Sequence, residues 1–296
     1  MRAVRAVRWS WKRIARRPPA LLVEVRWRLG DEILAIPVYE GLKRRYPNSH
    51  LSVWCSYPDL IRGNPCVDQV IGPDDLPTRA PCDRYILLRG APRDVYRHEH
   101  YARVAGIPLP LNPPRVYDDE GASAYLERFA DDPSGFVAVC TGGTWETKRW
   151  PIENWRELCV GLARDGRRLV QLGSGDEEIP GVDSLVNATT VSEAASLLRA
   201  ARLLVTCDSG LMHLALAVGA PVLALFGPTD PTILIRDRGA LTVMTNGRPC
   251  QGCWNRLTMK KEGVCPLDIS SCMGSLSTEA VLRRAREILG RESRRA

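Results

Sequence analysis

Short apolar strands alternate with helical stretches along this chain, in two runs separated by Asp131-Asp132-Pro133-Ser134-Gly135. In the first run, Ala20–Val25, Leu51–Trp54, Gln69–Ile71 and Tyr85–Leu88 read as strands. Asp31–Tyr46 reads as a helix, and a polar helix lies near Asp94–Ala105. In the second, Phe136–Cys140, Arg168–Leu172, Leu203–Cys207 and Pro221–Phe226 read as strands, and Glu153–Arg164, Ser192–Ala201 and Leu211–Val218 as helices. Trp155, Leu158, Cys159 and Leu162 fall on one face at helical spacing. This alternation predicts α/β architecture with parallel sheets covered on both faces. Two such runs predict two Rossmann-like domains across a cleft, with ligands beyond the carboxyl ends of the strands. The expected divisions are a basic segment 1–17, domains 18–132 and 136–275, and a closing helix (Thr278–Leu289) and tail in 276–296.

Composition narrows the class. With 45% hydrophobic and 25% charged residues the chain has a globular balance. Its longest apolar stretch, Leu214 to Phe226, is interrupted by Pro221 and is too short to span a bilayer. Of 41 basic residues, seven lie in residues 1–17, where there is no acid; this leaves 34 basic against 34 acidic residues in the remainder. A nucleic-acid binder would spread its positive charge differently, so no nucleic-acid partner is expected. Trp9, Trp11 and Ile14 sit among those arginines, so the segment is either a solvated tail or a contact for an anionic membrane surface. No apolar h-region and cleavage site follow it, and the expected location is cytoplasmic, peripheral on the inner face of the membrane if the segment binds lipid.

Four turns follow strands and carry polar groups. Arg28-Leu29-Gly30-Asp31 places a carboxylate at a helix start, where it either caps the helix or faces the cleft as a base. Thr141-Gly142-Gly143-Thr144 followed by Lys148-Arg149-Trp150-Pro151 combines exposed amides, hydroxyls and a cation that suit a diphosphate, without Walker spacing. Cys207-Asp208-Ser209-Gly210-Leu211-Met212-His213 puts an acid and small residues at a helix start. There Asp208 could take a sugar hydroxyl, and His213 is either a ligand contact or a packed side chain. Phe226-Gly227-Pro228-Thr229-Asp230-Pro231 makes a rigid turn presenting Thr229.

Taken in order, these four motifs resemble the heptosyltransferase family (glycosyltransferase family 9). The resemblance covers roughly residues 20–290 and is strongest over 136–231. It implies a GT-B fold and inverting transfer from a nucleotide-diphosphate sugar, usually ADP-heptose, without a catalytic metal. Asp31 then resembles the base, and Thr144 and Lys148 the phosphate contacts. Glu177 resembles the ribose-binding acid, Thr189–Val191 the adenine pocket, and Asp208, Ser209 and Gly210 the donor loop, with His213 and Thr229 beside it. The first half is shorter than usual and the basic head is unusual, so the acceptor stays open among a cell-surface glycan, the lipopolysaccharide core and a protein.

Of ten cysteines, Cys250, Cys253, Cys265 and Cys272 crowd into one segment. Four thiolates with a C-x-x-C bite suit structural zinc or iron; the other account is reduced thiols in a loop. Some heptosyltransferases that modify autotransporter proteins carry a four-cysteine iron finger and form large rings, which the cluster resembles in ligand type, so a homo-oligomer is a further expectation. Two other functions fit the same residues: a nucleotide-sugar epimerase on this fold, and a non-catalytic metal-stapled scaffold.

Overall fold

The computed structural model describes residues 18–75, 82–109, 112–117, 126–127, 135–143, 145–175, 177–235, 239–256, 261, 263–265, 267 and 272–292. The basic segment 1–17, the linker residues 131–134 and Thr144 therefore lie outside the described residues.

Two parallel sheets form, as the alternation predicts. The first has strands β1 (Ala20–Glu24), β2 (His50–Trp54), β3 (Gln69–Ile71) and β4 (Arg84–Leu87) in the order β3-β2-β1-β4. The second has β5 (Phe136–Cys140), β6 (Arg168–Gly173), β7 (Asp183–Val186), β8 (Leu203–Cys207), β9 (Val222–Phe226) and β10 (Leu241–Thr245) in the order β10-β9-β8-β5-β6-β7. Read from β7, that is the doubly wound order 3-2-1-4-5-6, whose reversal lies between β5 and β8. β5, β8 and β9 are buried along their whole length, as central strands covered on both faces must be.

The helices are α1 (Leu29–Arg45), α2 (Pro58–Ile61), α3 (Arg97–Ala105), α4 (Ile152–Arg164), α5 (Val191–Ala200), α6 (Gly210–Ala217), α7 (Pro231–Leu234) and α8 (Thr278–Glu292). Trp155, Leu158, Cys159 and Leu162 of α4 are all buried, as their spacing requires. α8 closes over α4, and the Trp150 indole donates to the Leu276 carbonyl at 2.9 Å. One apolar cluster runs from Val23, Tyr39 and Tyr101 on the first-sheet side to Met212, Leu214 and Phe226 on the second, with α1 packed on both α3 and α6. No helix of the described residues is long and apolar enough to cross a membrane.

Candidate functional site

The turns at the carboxyl ends of both sheets meet where α1 and α6 begin. Two glycines permit this contact. A Cβ on Gly30 would stand 2.9 Å from His213 Cδ2, and one on Gly210 would stand 3.0 Å from Leu29 Cβ. The two helix starts therefore abut nearly backbone to backbone, which places Asp31 of the first lobe beside the polar turns of the second.

Asp31 does not cap α1. The helix starts two residues earlier, Arg28 is its N-cap, and Asp31 sits in the first turn. Its carboxylate instead pairs with Arg97 Nε of α3 at 3.0 Å. Burial raises the Asp31 pKa, against the pull of Arg97, Arg28 and Lys148, while the Asp208 charge pushes it up further. Asp31 thus feels charges from both lobes. Its neighbour Glu32 is fully buried and accepts backbone N–H groups from Trp27, Ser56 and Tyr57 at 2.9–3.1 Å. Those bonds tie the turns after β1 and β2 together and hold the start of α1 in place.

In the second lobe Lys148 Nζ lies 2.6 Å from Asp208 Oδ2, which also accepts from Thr229 Oγ1 at 2.8 Å. Burial would raise the Asp208 pKa, but Lys148, His213 and these two bonds hold it below the usual carboxylate value. Thr229 is buried with its hydroxyl committed to Asp208, so it steadies that acid rather than lining an open wall. Ser209 is the N-cap of α6, accepting from Met212 N at 3.3 Å and sharing a hydrogen bond with Thr206 at 3.0 Å. His213 is buried, and its pKa falls to about 4 because desolvation outweighs the attraction of Asp208. It is therefore a neutral imidazole at the junction of the lobes.

The turns after β5 and β6 stand side by side, with a Cβ on Gly142 reaching 3.3 Å from the Ser174 carbonyl. Gln171, almost fully buried, donates to Thr141 Oγ1 and the Glu177 carbonyl and accepts from Ile179 N. This fixes the Glu177 backbone and leaves its side chain exposed. Thr189 is half-buried, and the adjacent Thr190 makes a capping box with Glu193 at the start of α5. The structure thus gathers Asp31, Lys148, Asp208, Ser209, Gly210, His213 and Thr229, and sets Glu177 and Thr189 on the flank beyond β6. Arg97, Glu32 and Gln171 are site-shaping residues that the motifs did not point to.

The four clustered cysteines approach one another. Burial pushes the Cys272 thiol up to about 11, and Cys253, Cys250 and Cys265 add to that rise. Cys272 Sγ also accepts from Asn246 Nδ2 at 3.3 Å. The donor set suits a soft tetrahedral ion. Among the described residues, however, no three His, Cys, Asp or Glu side chains converge on a point that could hold a metal.

Comparison with known proteins agrees with the fold. The family described as glycosyltransferase family 9 (heptosyltransferase) matches residues 95–262. Lipopolysaccharide heptosyltransferase 2 of Escherichia coli K12 is 30% identical over 142 residues, covering 42% of this chain and 41% of that protein. Lipopolysaccharide heptosyltransferase 1 of Pseudomonas aeruginosa PAO1 is 32% identical over 144 residues, covering 44% of this chain and 38% of that one. The match thus spans about two fifths of these relatives' length. Among solved structures, the family 9 glycosyl transferase of Veillonella parvula superposes with a TM-score of 0.73 at 18% identity, covering 93% of this chain and 98% of that chain. The iron-containing dodecameric glycosyltransferase TibC of enterotoxigenic E. coli superposes at 0.74 with 20% identity, covering 92% and 78%. TibC has also been solved in complex with ADP-D-beta-D-heptose.

Proposed function

The chain belongs to glycosyltransferase family 9 (heptosyltransferase), and on that premise we propose that it moves heptose from ADP-heptose to a hydroxyl of a cell-surface glycan, the lipopolysaccharide core or a protein, with inversion. The observation that carries this reading is the abutment of the starts of α1 and α6, which brings the turn holding Asp31 against the turn holding Asp208 and its partner Lys148. In this reading the donor diphosphate takes Lys148 from Asp208 and lies against the turns after β5 and β8 and the start of α6, with Thr144 as a further contact. Glu177 and the segment from Thr189 are then placed for the ribose and the base. Asp31 accepts the proton of the incoming hydroxyl as its oxygen attacks the anomeric carbon from the face opposite the diphosphate. The old C–O bond breaks with its electron pair going to ADP, whose charge Lys148 offsets. Burial raises the Asp31 pKa and makes it a stronger base than an exposed aspartate, while Arg97 keeps it ionised and aligned.

Asp31→Asn tests the assignment. ADP affinity by calorimetry should stay within about twofold, and ADP release with a lipopolysaccharide-core acceptor should fall ~10²–10⁴-fold. Near-normal release would remove Asp31 from the role.

At the cysteine cluster, Cys250, Cys253, Cys265 and Cys272 would hold a structural iron or zinc as thiolates once the segment closes around it. TibC's iron and the donor set support this. Elemental analysis of freshly purified protein should find about one metal per chain; none would refute it. TibC's dodecamer likewise supports a homo-oligomer. Residues 1–17 would contact the anionic inner face of a membrane.

A further inference from the structure

Lys148 has a second partner besides Asp208. Its Nζ lies 4.2 Å from the centroid of the Trp145 ring. Trp145 in turn meets Trp254, with centroids 4.7 Å apart and planes at 66°. Over the Trp254 ring, 3.4 Å from its centroid, sits the guanidinium of Arg93. Arg93 precedes α3 in the first lobe, Trp145 and Lys148 follow β5 in the second, and Trp254 stands in the cysteine segment. One row of cation, ring, ring and cation therefore crosses from lobe to lobe and ends at the ammonium beside Asp208.

The row is pinned along its length. Trp254 N donates to the Pro228 carbonyl at 2.8 Å, and Gly252 N to the Gly227 carbonyl at 3.0 Å. Asn255 Nδ2 donates to the Arg93 carbonyl at 2.5 Å, and its Oδ1 accepts from Asp230 N at 2.8 Å. Behind Trp145 lies Gly263, in the left-handed region at φ +75°, close enough that a Cβ there would be 3.6 Å from Trp145 Cβ. The cysteine segment thus supports Trp145 from two sides.

We propose that Trp254 is a positioning residue for the donor: through Trp145 it holds the Lys148 ammonium where the diphosphate arrives, and through Arg93 it links that placement to the contact between the lobes. The inference rests on the reading of Lys148 as the diphosphate contact. A lysine loses rotamer entropy whenever it is held in one place. When a phosphate displaces Asp208 from Lys148, the face of Trp145 is the partner that stays, so the ammonium changes anion without swinging into solvent. Attraction between a cation and an aromatic face supports that hold, and Trp254 fixes the face. The cysteine segment thereby affects donor affinity without touching the donor.

Calorimetry with ADP on the full chain tests this. Trp254→Leu, which keeps apolar bulk but loses the ring, should weaken ADP binding about 3- to 30-fold. Trp254→Phe should stay within about twofold, and Trp254→Leu should cost nothing more in a Lys148→Ala background. Trp254→Ala should behave like Trp254→Leu; if the alanine variant does not fold, the leucine variant carries the test. Unchanged affinity in Trp254→Leu, or an equal loss with and without Lys148, overturns the inference and leaves the donor site standing. Unchanged affinity in Lys148→Ala would instead overturn the reading of Lys148 itself.

Discussion

Asp31 feels the charge of Asp208, yet the acidities of the two move in opposite directions. Burial wins at Asp31, where the chief cation is one arginine, and loses at Asp208, where Lys148, His213 and the Thr229 hydroxyl act together. The same balance makes a pH prediction for two buried histidines. His98 shares a hydrogen bond with the Tyr96 hydroxyl at 2.8 Å, and its Nε2 finds no partner among the described residues. Burial drops its pKa to about 3, as it drops that of His213 to about 4. Both folded values lie below the unfolded value of 6.5, so the unfolded chain binds more protons between those limits. The stability from this pair is complete above about pH 6.5 and is lost as pH falls toward 4. Each group contributes a slope of about 1.4 kcal/mol per pH unit within that window. Asp31 and Glu32, with raised values, act in the opposite sense, but only near and just above the ordinary carboxylate range. Urea unfolding at pH 7, 6 and 5 should show stability falling with acid, and His98→Gln should remove about half of the histidine slope. An unchanged slope in that variant would refute the account.

At the scale of elements, the packed junction of α1 and α6 and an open position on α8 predict opposite outcomes for two glycine-to-alanine changes. At Gly210 the new Cβ would press on Leu29 Cβ, an atom next to backbone that cannot swing aside, so Gly210→Ala should cost about 1–3 kcal/mol by chemical denaturation. At Gly290, an exposed position of α8, a Cβ meets nothing within 4 Å, and Gly290→Ala should gain about 0.5–1 kcal/mol. Equal effects would mean that the helix starts do not press together. Elements were legible in the sequence where burial was complete: β5 and β8 match their apolar runs residue for residue. β7 and β10 were missed because edge strands are half-buried and carry Asp183, Ser184 and Thr242 among their apolar residues. α5 begins at Val191, one residue before the expected Ser192, and the capping box of Thr190 with Glu193 is the signal that sets that start. In the site, Asp31, Lys148 and Asp208 stood out because each follows a strand. Arg97 did not, because a polar helix looks solvated until its partner on α1 is known, and Glu32 did not, because the amides it binds at Ser56 and Tyr57 are distant in sequence.

Across the whole molecule, the lobes are joined by a shared apolar cluster and by the Arg93–Trp254 stack, and charge is divided unevenly along the chain. Outside residues 1–17 the 34 basic and 34 acidic residues cancel, so that body has little reason to approach an anionic surface. The seven cations of residues 1–17 have such a reason, at ~1 kcal/mol for each one near the lipid, and Trp9 and Trp11 add rings that favour the interface. An attraction of this kind is screened beyond about 8 Å at physiological ionic strength. Co-sedimentation with phosphatidylserine-containing vesicles should therefore be strong at low salt and fade as salt rises. Removing residues 1–17 should abolish it, while ADP affinity stays within about twofold because the proposed donor contacts, Lys148 and the turn at Asp208, belong to the second sheet's turns and include no residue of 1–17. Binding that survives the deletion, or that ignores salt, would move the membrane contact to the body of the protein and leave the basic segment without that role.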